Sequence, residues 1–386
     1  MTIRFLIMNA WAPGGTVRAT FTTAGRLAER HDVEIISVNR TRDEPALPPP
    51  HGVRLRALDD VRPEHPPRSP VARWAQRQPS LVLTPHDHRH NRFSRLSDVK
   101  LLRYLPSLRD GVLIGTRPAL NIAIARLVPA SVVRVAQDHM HLAAYPPALR
   151  NLLRAEYPRL DAVVALTEET AAGYRALLGD GARVGCIPNS APAVGEHRAN
   201  PDAKVAVAAG RLTRQKGFDR LLPAWALAAD RHPGWRLEIF GEGPHEERLE
   251  RQIGRLGIAA SARLRGFSPH LAEELARASL YVMSSRNEGF PMVLLEAMSV
   301  GVPVVSFDCR NGPADLVTDG VDGLLVPQGD VVGLAEAMCR LIEAPGWRRE
   351  MGQAALSTAA TYAPHRMAAR WEQLLSDLAG RSGRSR

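Results

Sequence analysis

A chain of 386 residues, 45% hydrophobic and 23% charged, is long enough for two ordinary domains with buried cores, which excludes a disordered or fibrous protein. No apolar run approaches the roughly 18 residues that cross a bilayer, and the first one, Ile3 to Met8, is too short for a signal peptide. The net charge of +10 is uneven: residues 1–190 hold 26 lysines and arginines against 17 aspartates and glutamates, a net of +9, and the remainder holds +1.

In chain order, Ile3–Met8 reads as a strand that leads through Gly14-Gly15 into a helical stretch from Val17 to Glu29, with a second strand at Val33–Val38. From Asp43 to Arg109 prolines interrupt the pattern, eight of them between Pro45 and Pro70, and loops with short helices are expected there. Strands return near Val112–Gly115, Val132–Ala136, Ala162–Ala165 and Val184–Ile187. The stretch from Asn189 to Ala203, with Pro192, Gly195 and Pro201, has no periodicity and reads as a linker. A second β-α series follows at Lys204–Ala209, Trp235–Phe240, Leu280–Met283, Val304–Phe307 and Gly323–Val326. Apolar residues Met367, Trp371, Leu374, Leu375 and Leu378 recur at helical spacing in a final helix starting at Pro364. The expectation is an α/β protein of two doubly wound parallel domains, 1–190 and 204–363, with a terminal helix at about 364–380. Cys186, Cys309 and Cys339 are odd in number and far apart, which fits a reducing cytoplasm.

Chemistry concentrates on two strand-to-helix junctions. After Met283 a loop carries Glu288, Pro291 falls where a first helical residue belongs, and a helix carries Glu296. The exposed N–H groups of such a helix start suit a phosphate, and the carboxylates suit hydroxyls. Two glutamates at that spacing are also common on surface helices. After Ala209, the stretch Gly210-Arg211-Leu212-Thr213-Arg214-Gln215-Lys216-Gly217 places two cations where they can neutralise a diphosphate without metal. Alone it reads as a solvated basic loop.

Together, the Asn-Glu-Gly-Phe stretch with Glu288 and Glu296, the Gly-Arg-Leu…Lys-Gly loop and the Gly-x-Pro-Val-Val strand at Gly301–Val305 resemble glycosyltransferase family 4. The pattern continues through Asn311-Gly312-Pro313 and Asp322–Pro327, densely over residues 204–327 and weakly elsewhere. The resemblance implies a GT-B fold, two Rossmann-like domains facing each other across a cleft, and a retaining enzyme with the terminal helix packed back on the first domain. It implies that Arg211 and Lys216 bind the donor diphosphate and stabilise its departure. Glu296 would accept from the ribose, and Glu288 would approach the transferred sugar beside the backbone of Gly289 and Phe290. Gly14 and Gly15 would face the phosphates. It also implies a histidine contacting the donor sugar, here His139 in Gln137-Asp138-His139-Met140-His141, with His141 as its rival and a structural histidine as the alternative. Retention without an evident nucleophile implies front-face attack assisted by the leaving diphosphate.

The partners expected are a nucleotide-sugar donor, with a UDP-sugar favoured, an acceptor of polysaccharide or polyol-phosphate type that includes lipid-linked ones, and an anionic membrane surface. No cofactor, metal or nucleic acid is expected. The charge asymmetry suits an anionic partner, although only Lys100, Lys204 and Lys216 are lysines, so codon bias explains it equally. A cytoplasmic enzyme, peripheral on the inner membrane face, is the resulting picture. The absence of any Asp-x-Asp pair argues against metal-dependent transfer, and His86-Asp87-His88-Arg89-His90 reads as an exposed polar loop. The Phe240-Gly241-Glu242-Gly243-Pro244 stretch lacks the third glycine of a dinucleotide fingerprint. A sugar-nucleotide epimerase or a non-catalytic nucleotide-sugar-binding subunit of the same fold are the alternatives.

Overall fold

The structure is a computed structural model and describes residues 1–191, 194–309 and 312–382. Pro192 of the expected linker and Asn311 of the Asn311-Gly312-Pro313 stretch lie outside the described residues. The chain divides into two compact units, Met1–Ser190 with Pro364–Arg386, and Ala191–Ala363.

The first unit has strands β1 (Thr2–Ile7), β2 (Asp32–Arg40), β3 (Val53–Asp60), β4 (Val112–Gly115), β5 (Val133–Gln137), β6 (Ala162–Ala165) and β7 (Val184–Cys186). Its helices are α1 (Gly15–Leu27), α2 (Pro70–Arg77), α3 (Arg95–Tyr104), α4 (Pro118–Leu127), α5 (Pro147–Glu156) and α6 (Glu168–Leu178). The seven strands lie in the order β3-β2-β1-β4-β5-β6-β7, paired in parallel. Strands β4 and β6 are buried at every position, as strands covered on both faces must be. The eight-residue β3 stands inside the proline-rich stretch where only loops and short helices are expected. Its sequence VRLRALDD alternates because it is an edge strand with one face toward solvent, and the prolines fall on either side of it.

The second unit has β8 (Val205–Ala209), β9 (Arg236–Phe240), β10 (Ala262–Leu264), β11 (Leu280–Met283), β12 (Val304–Asp308) and β13 (Gly323–Pro327). Its helices are α7 (Phe218–Arg231), α8 (Glu246–Arg255), α9 (Leu271–Ala276), α10 (Met292–Ser299), α11 (Pro313–Leu316), α12 (Val331–Glu343) and α13 (Pro345–Thr361). The six-stranded order is β10-β9-β8-β11-β12-β13, again parallel. In both sheets the chain winds outward in one direction, from β1 to β3 and from β8 to β10, and then crosses back to wind in the other, so the reversals fall between β1 and β4 and between β8 and β11. Ligands of open α/β sheets bind at the carboxyl ends of strands at such reversals, which singles out the loops after β1, β4, β8 and β11.

The last helix, α14 (Pro364–Ser382), completes the first unit. Trp371 and Leu375 are fully buried in a core they share with Phe5, Phe21, Leu27 and Ile35. Arg30 reaches Glu372 at 3.0 Å, Arg183 reaches Asp377 at 2.6 Å, and Arg370 donates to the Cys186 carbonyl at 2.8 Å. Trp371→Ala should therefore cost about 3–5 kcal/mol, the range for emptying a buried aromatic site. Urea denaturation checks it, and a loss below about 1 kcal/mol would mean that α14 is not part of this core.

Candidate active site

In the second unit the loops after β8 and β11 are joined at their centre. Lys216 Nζ donates to Glu288 Oε1 at 2.7 Å, and Ser285 Oγ donates to the same oxygen at 2.5 Å. Glu288 is nearly buried, where an unpaired carboxylate would be costly, and the two donors offset that cost. Backbone and side chains extend the seam: Ser284 Oγ to the Lys216 carbonyl at 3.0 Å, Arg286 N to the Gln215 carbonyl at 2.7 Å, and Gln215 Nε2 to the Asn287 carbonyl at 3.0 Å. Arg286 closes one end with a two-pronged pair to Asp219 at 2.7 Å on each prong, which holds the Asp219 carboxyl below its ordinary range.

Glycine is what permits this approach. Gly217 has φ 68°, and a Cβ there would stand 2.0 Å from the Ser284 carbonyl oxygen. Gly241 is equally constrained, since its Cβ would come 1.9 Å from the Gly210 carbonyl oxygen. The Gly-Glu-Gly stretch after β9 thus braces the Arg211 loop, with Leu212 N donating to the Glu242 carbonyl at 2.9 Å, which accounts for its glycines without a dinucleotide.

Arg211 itself is exposed, and its guanidinium has no hydrogen-bond or ion-pair partner among the described residues. Glu288 Oε2 likewise accepts no hydrogen bond from a described residue. Glu296 is buried in α10. Burial first, and then the charges of Glu288 and Glu296, hold the Tyr281 hydroxyl far above its ordinary range, so both carboxylates bear on the end of β11. Burial and Glu288 likewise push the Cys309 thiol up to about 12. Pro291 is the residue that caps α10 and not its first helical position, with φ −79° and ψ 82°. Phe290 packs edge-on against Tyr362 at 6.1 Å.

In the first unit Gly14 precedes α1 with φ 155°, a conformation L side chains rarely adopt, and open space lies over it, with no atom within 4 Å of a built Cβ. Gly15 opens the helix. His139 follows β5. Its Nε2 is buried without a hydrogen-bond partner among the described residues, and burial together with the Arg117 charge lowers its pKa to about 4, so the ring is neutral at pH 7. His141 is differently engaged: its Nδ1 accepts from Ala143 N at 2.9 Å and its Nε2 lies 3.6 Å from Glu169.

Beneath His139 lies a polar cluster that the sequence reading missed. Asp138 accepts from Asn121 Nδ2 at 2.9 Å, from the Tyr157 hydroxyl at 2.8 Å and from the Tyr174 hydroxyl. Burial outweighs these donors and raises the Asp138 carboxyl to about 6. Asp87, within the stretch read as an exposed polar loop, is buried and gripped by Arg117 through bonds of 2.7 and 3.0 Å. Burial works against its ionisation, yet the Arg117 contacts win and its pKa is lowered. Only the adjacency of Asp138 to His139 hinted at the cluster; its other members are scattered over 53 residues. The predicted site residues thus form two groups: Arg211, Lys216, Glu288, Gly289, Phe290 and Glu296 in the second unit, and Gly14, Gly15 and His139 in the first. Among the described residues, His232, Cys339 and Glu343 have donor atoms within 4.8 Å of one another, at the far ends of α7 and α12 from these loops.

Residues 193–358 match the family model described as glycosyl transferases group 1. That span lies inside the second unit and contains the seam between Lys216 and Glu288. The chain is 39% identical over 99% of its length to an exopolysaccharide phosphotransferase of Streptomyces coelicolor, but spans only 41% of that protein. It is 29% identical to the amylovoran biosynthesis glycosyltransferase AmsD of Erwinia amylovora, over 72% of this chain and 81% of the relative. The fold is GT-B: superposition on Anabaena HepE, solved in complex with UDP, gives a TM-score of 0.75 over 98% of this chain and 100% of that one at 19% identity.

The opposed pKa shifts of Asp138 and His139 have a testable consequence. Asp138 binds its proton more tightly folded than unfolded, so its contribution to stability falls as pH rises from about 4 to about 6. His139 binds its proton less tightly folded, so its contribution rises from about 4 to its ordinary 6.5. Relative to wild type, Asp138→Asn should gain stability across that window and His139→Gln should lose it. Denaturation at several pH values reads this out, and parallel curves for all three proteins would contradict the assignment.

Proposed function

We propose that the protein is a retaining, metal-independent glycosyltransferase of family 4. It would move a hexose-type sugar from a nucleotide-sugar, a UDP-sugar by preference, to a polysaccharide or polyol-phosphate acceptor, lipid-linked ones included. The observation that carries this reading is the pairing of Lys216 with Glu288 at the reversal of the second sheet, with Arg211, which has no partner among the described residues, on the same loop as Lys216. Two cations there suit a diphosphate whose charge grows as the glycosidic bond breaks. Glu288 Oε2 is left to accept from a sugar hydroxyl, with the backbone of Gly289 and Phe290 beside it, and Glu296 would take the ribose hydroxyls. Gly14 and Gly15 offer backbone to the phosphates, and a neutral His139 offers a hydrogen bond to the sugar.

In the step we infer, the acceptor oxygen bonds to the anomeric carbon while that carbon's bond to the diphosphate breaks, and the acceptor proton passes to the departing phosphate oxygen. Attack on the face the diphosphate leaves retains configuration. The UDP in the HepE complex and the exopolysaccharide named for the Streptomyces relative support the choice of donor and acceptor class. The net charge of residues 1–190 adds attraction to an anionic surface, which would place a cytoplasmic enzyme peripherally on a membrane. Incubation with UDP- and GDP-sugars separates the alternatives: a transferase releases nucleotide and an α-linked product from an α-linked donor, an epimerase inverts a sugar carbon with nucleotide still attached, and a binding subunit does neither.

Arg211→Ala should lower turnover about 10²-fold with the fold intact, as expected on losing one electrostatic stabiliser. Lys216→Ala should lower it at least as far and also destabilise the protein, because the buried Glu288 loses one of its two donors. Activity should persist in EDTA. Near-normal turnover in both variants, or activity lost in EDTA and restored by Mg²⁺ or Mn²⁺, would overturn the charge argument.

The two glutamates should separate kinetically. Glu296→Gln should raise the donor KM and largely keep kcat, by an amount near the roughly 1.5–3 kcal/mol of a hydrogen bond to a charged group. Glu288→Gln should lower kcat and kcat/KM together, since it also loosens Lys216 as the diphosphate departs. Swapped outcomes, with donor affinity measured by calorimetry, would reverse the roles.

A further inference from the structure

Five of the ten large hydrophobic side chains exposed among the described residues fall between positions 71 and 102. Val71 is 73% exposed, Trp74 54% and Leu81 74%. The eight-residue α2 buries none of its side chains. These side chains are nevertheless held in place. The Arg95 guanidinium stacks over the Trp74 ring at 5.2 Å, Leu81 N donates to Asp98 Oδ2 at 2.7 Å, and Arg95 N donates to the Gln78 carbonyl at 3.0 Å. Trp74 and Leu81 are thus both fixed to the first turn of α3.

Between positions 65 and 103 the exposed charge has one sign. Arg68, Arg73, Arg77, Arg92 and Arg103 are all exposed. The carboxylates between positions 65 and 103 are Asp87 and Asp98, both buried. Asp87 is taken by Arg117, and Asp98 by Ser80 Oγ and the Leu81 and Val82 amides. Toward solvent this segment therefore offers cations and apolar side chains and no anion.

We propose that α2 and the turn to Leu81 form a docking surface for an anionic lipid leaflet. The inference rests on the attraction to an anionic surface read from net charge, and it is independent of the transferase reading. Arginines meet lipid phosphates and anionic headgroups, while Trp74, Val71 and Leu81 enter the boundary between headgroups and acyl chains, where an aromatic ring with a polar edge is well placed. A soluble polyanion would satisfy the arginines and leave the apolar side chains in water, and for that reason a bilayer is the better fit.

The experiment is flotation of the full chain with vesicles of phosphatidylglycerol and phosphatidylcholine, against pure phosphatidylcholine. Binding should require the anionic lipid and weaken with rising salt. Arg73→Glu with Arg77→Glu should reduce binding about 10-fold or more, and Trp74→Ala with Leu81→Ser should reduce it without any change of charge. Arg251→Glu with Arg255→Glu, on exposed positions of α8, is the control of equal charge and should bind almost as wild type. If the control loses as much as the α2 variant, net charge alone drives binding and this surface is wrong while the membrane attraction stands. If the Trp74 and Leu81 variant binds normally, or soluble poly(glycerol phosphate) competes as well as vesicles, the partner is a polyanion and the lipid assignment falls. If no anionic vesicle binds, surface and membrane attraction fall together.

Discussion

The second unit is organised around one ion pair. Lys216 and Glu288 stand 72 positions apart in the chain, yet their side chains meet at 2.7 Å over the point where the sheet reverses direction. Burying Glu288 is unfavourable unless the loops bring it two donors, and the loops can come that close only because Gly217 has no side chain. Gly312 obeys the same constraint from the other side, for a Cβ there would crowd Pro291 and Glu288 at 2.8 and 3.3 Å. What results is a carboxylate with one oxygen committed to the protein and the other without a hydrogen bond from any described residue, while Arg211, on the same loop as Lys216, has no partner among the described residues.

The first unit solves the corresponding problem with neutral groups. Asp138 is surrounded by two tyrosine hydroxyls and an amide, which hold the strand end in one arrangement without adding a cation. Arg117 is already spent on Asp87, and burial, with the Arg117 charge adding to it, keeps His139 uncharged. A neutral imidazole with an unoccupied nitrogen is a hydrogen-bonding group for an uncharged hydroxyl, whereas an imidazolium would compete for phosphate.

Much of this architecture was legible because parallel strands buried on both faces are short apolar runs that little else imitates: Val112–Gly115 and Ala162–Ala165 were read at their observed limits. The misses share a cause. Strand β3 alternates arginines with apolar residues at a sheet edge, and the three-residue β10 is too short to show any period. At the site, the glutamates and cations could be placed on loops after strands, but sequence spacing holds no record of which side chains meet across 72 residues. Ser285 was hidden for the same reason, since a serine after a strand is ordinary until its hydroxyl is seen on Glu288. Pro291 was placed one position too far into its helix, because a proline fits both the cap and the first turn.

The return of α14 to the first unit has a consequence for biosynthesis. The second unit is one uninterrupted segment, Ala191–Ala363, whereas the first is assembled from two pieces that flank it. On the ribosome the second unit can therefore close as soon as its own residues have emerged, while the earlier-made sheet waits with an apolar groove open between α1 and the edge of its core until Trp371 arrives. The order of completion inverts the order of synthesis. The half-finished first unit, carrying Phe5, Phe21 and Leu27 against that groove, is the species a chaperone would have most reason to shield.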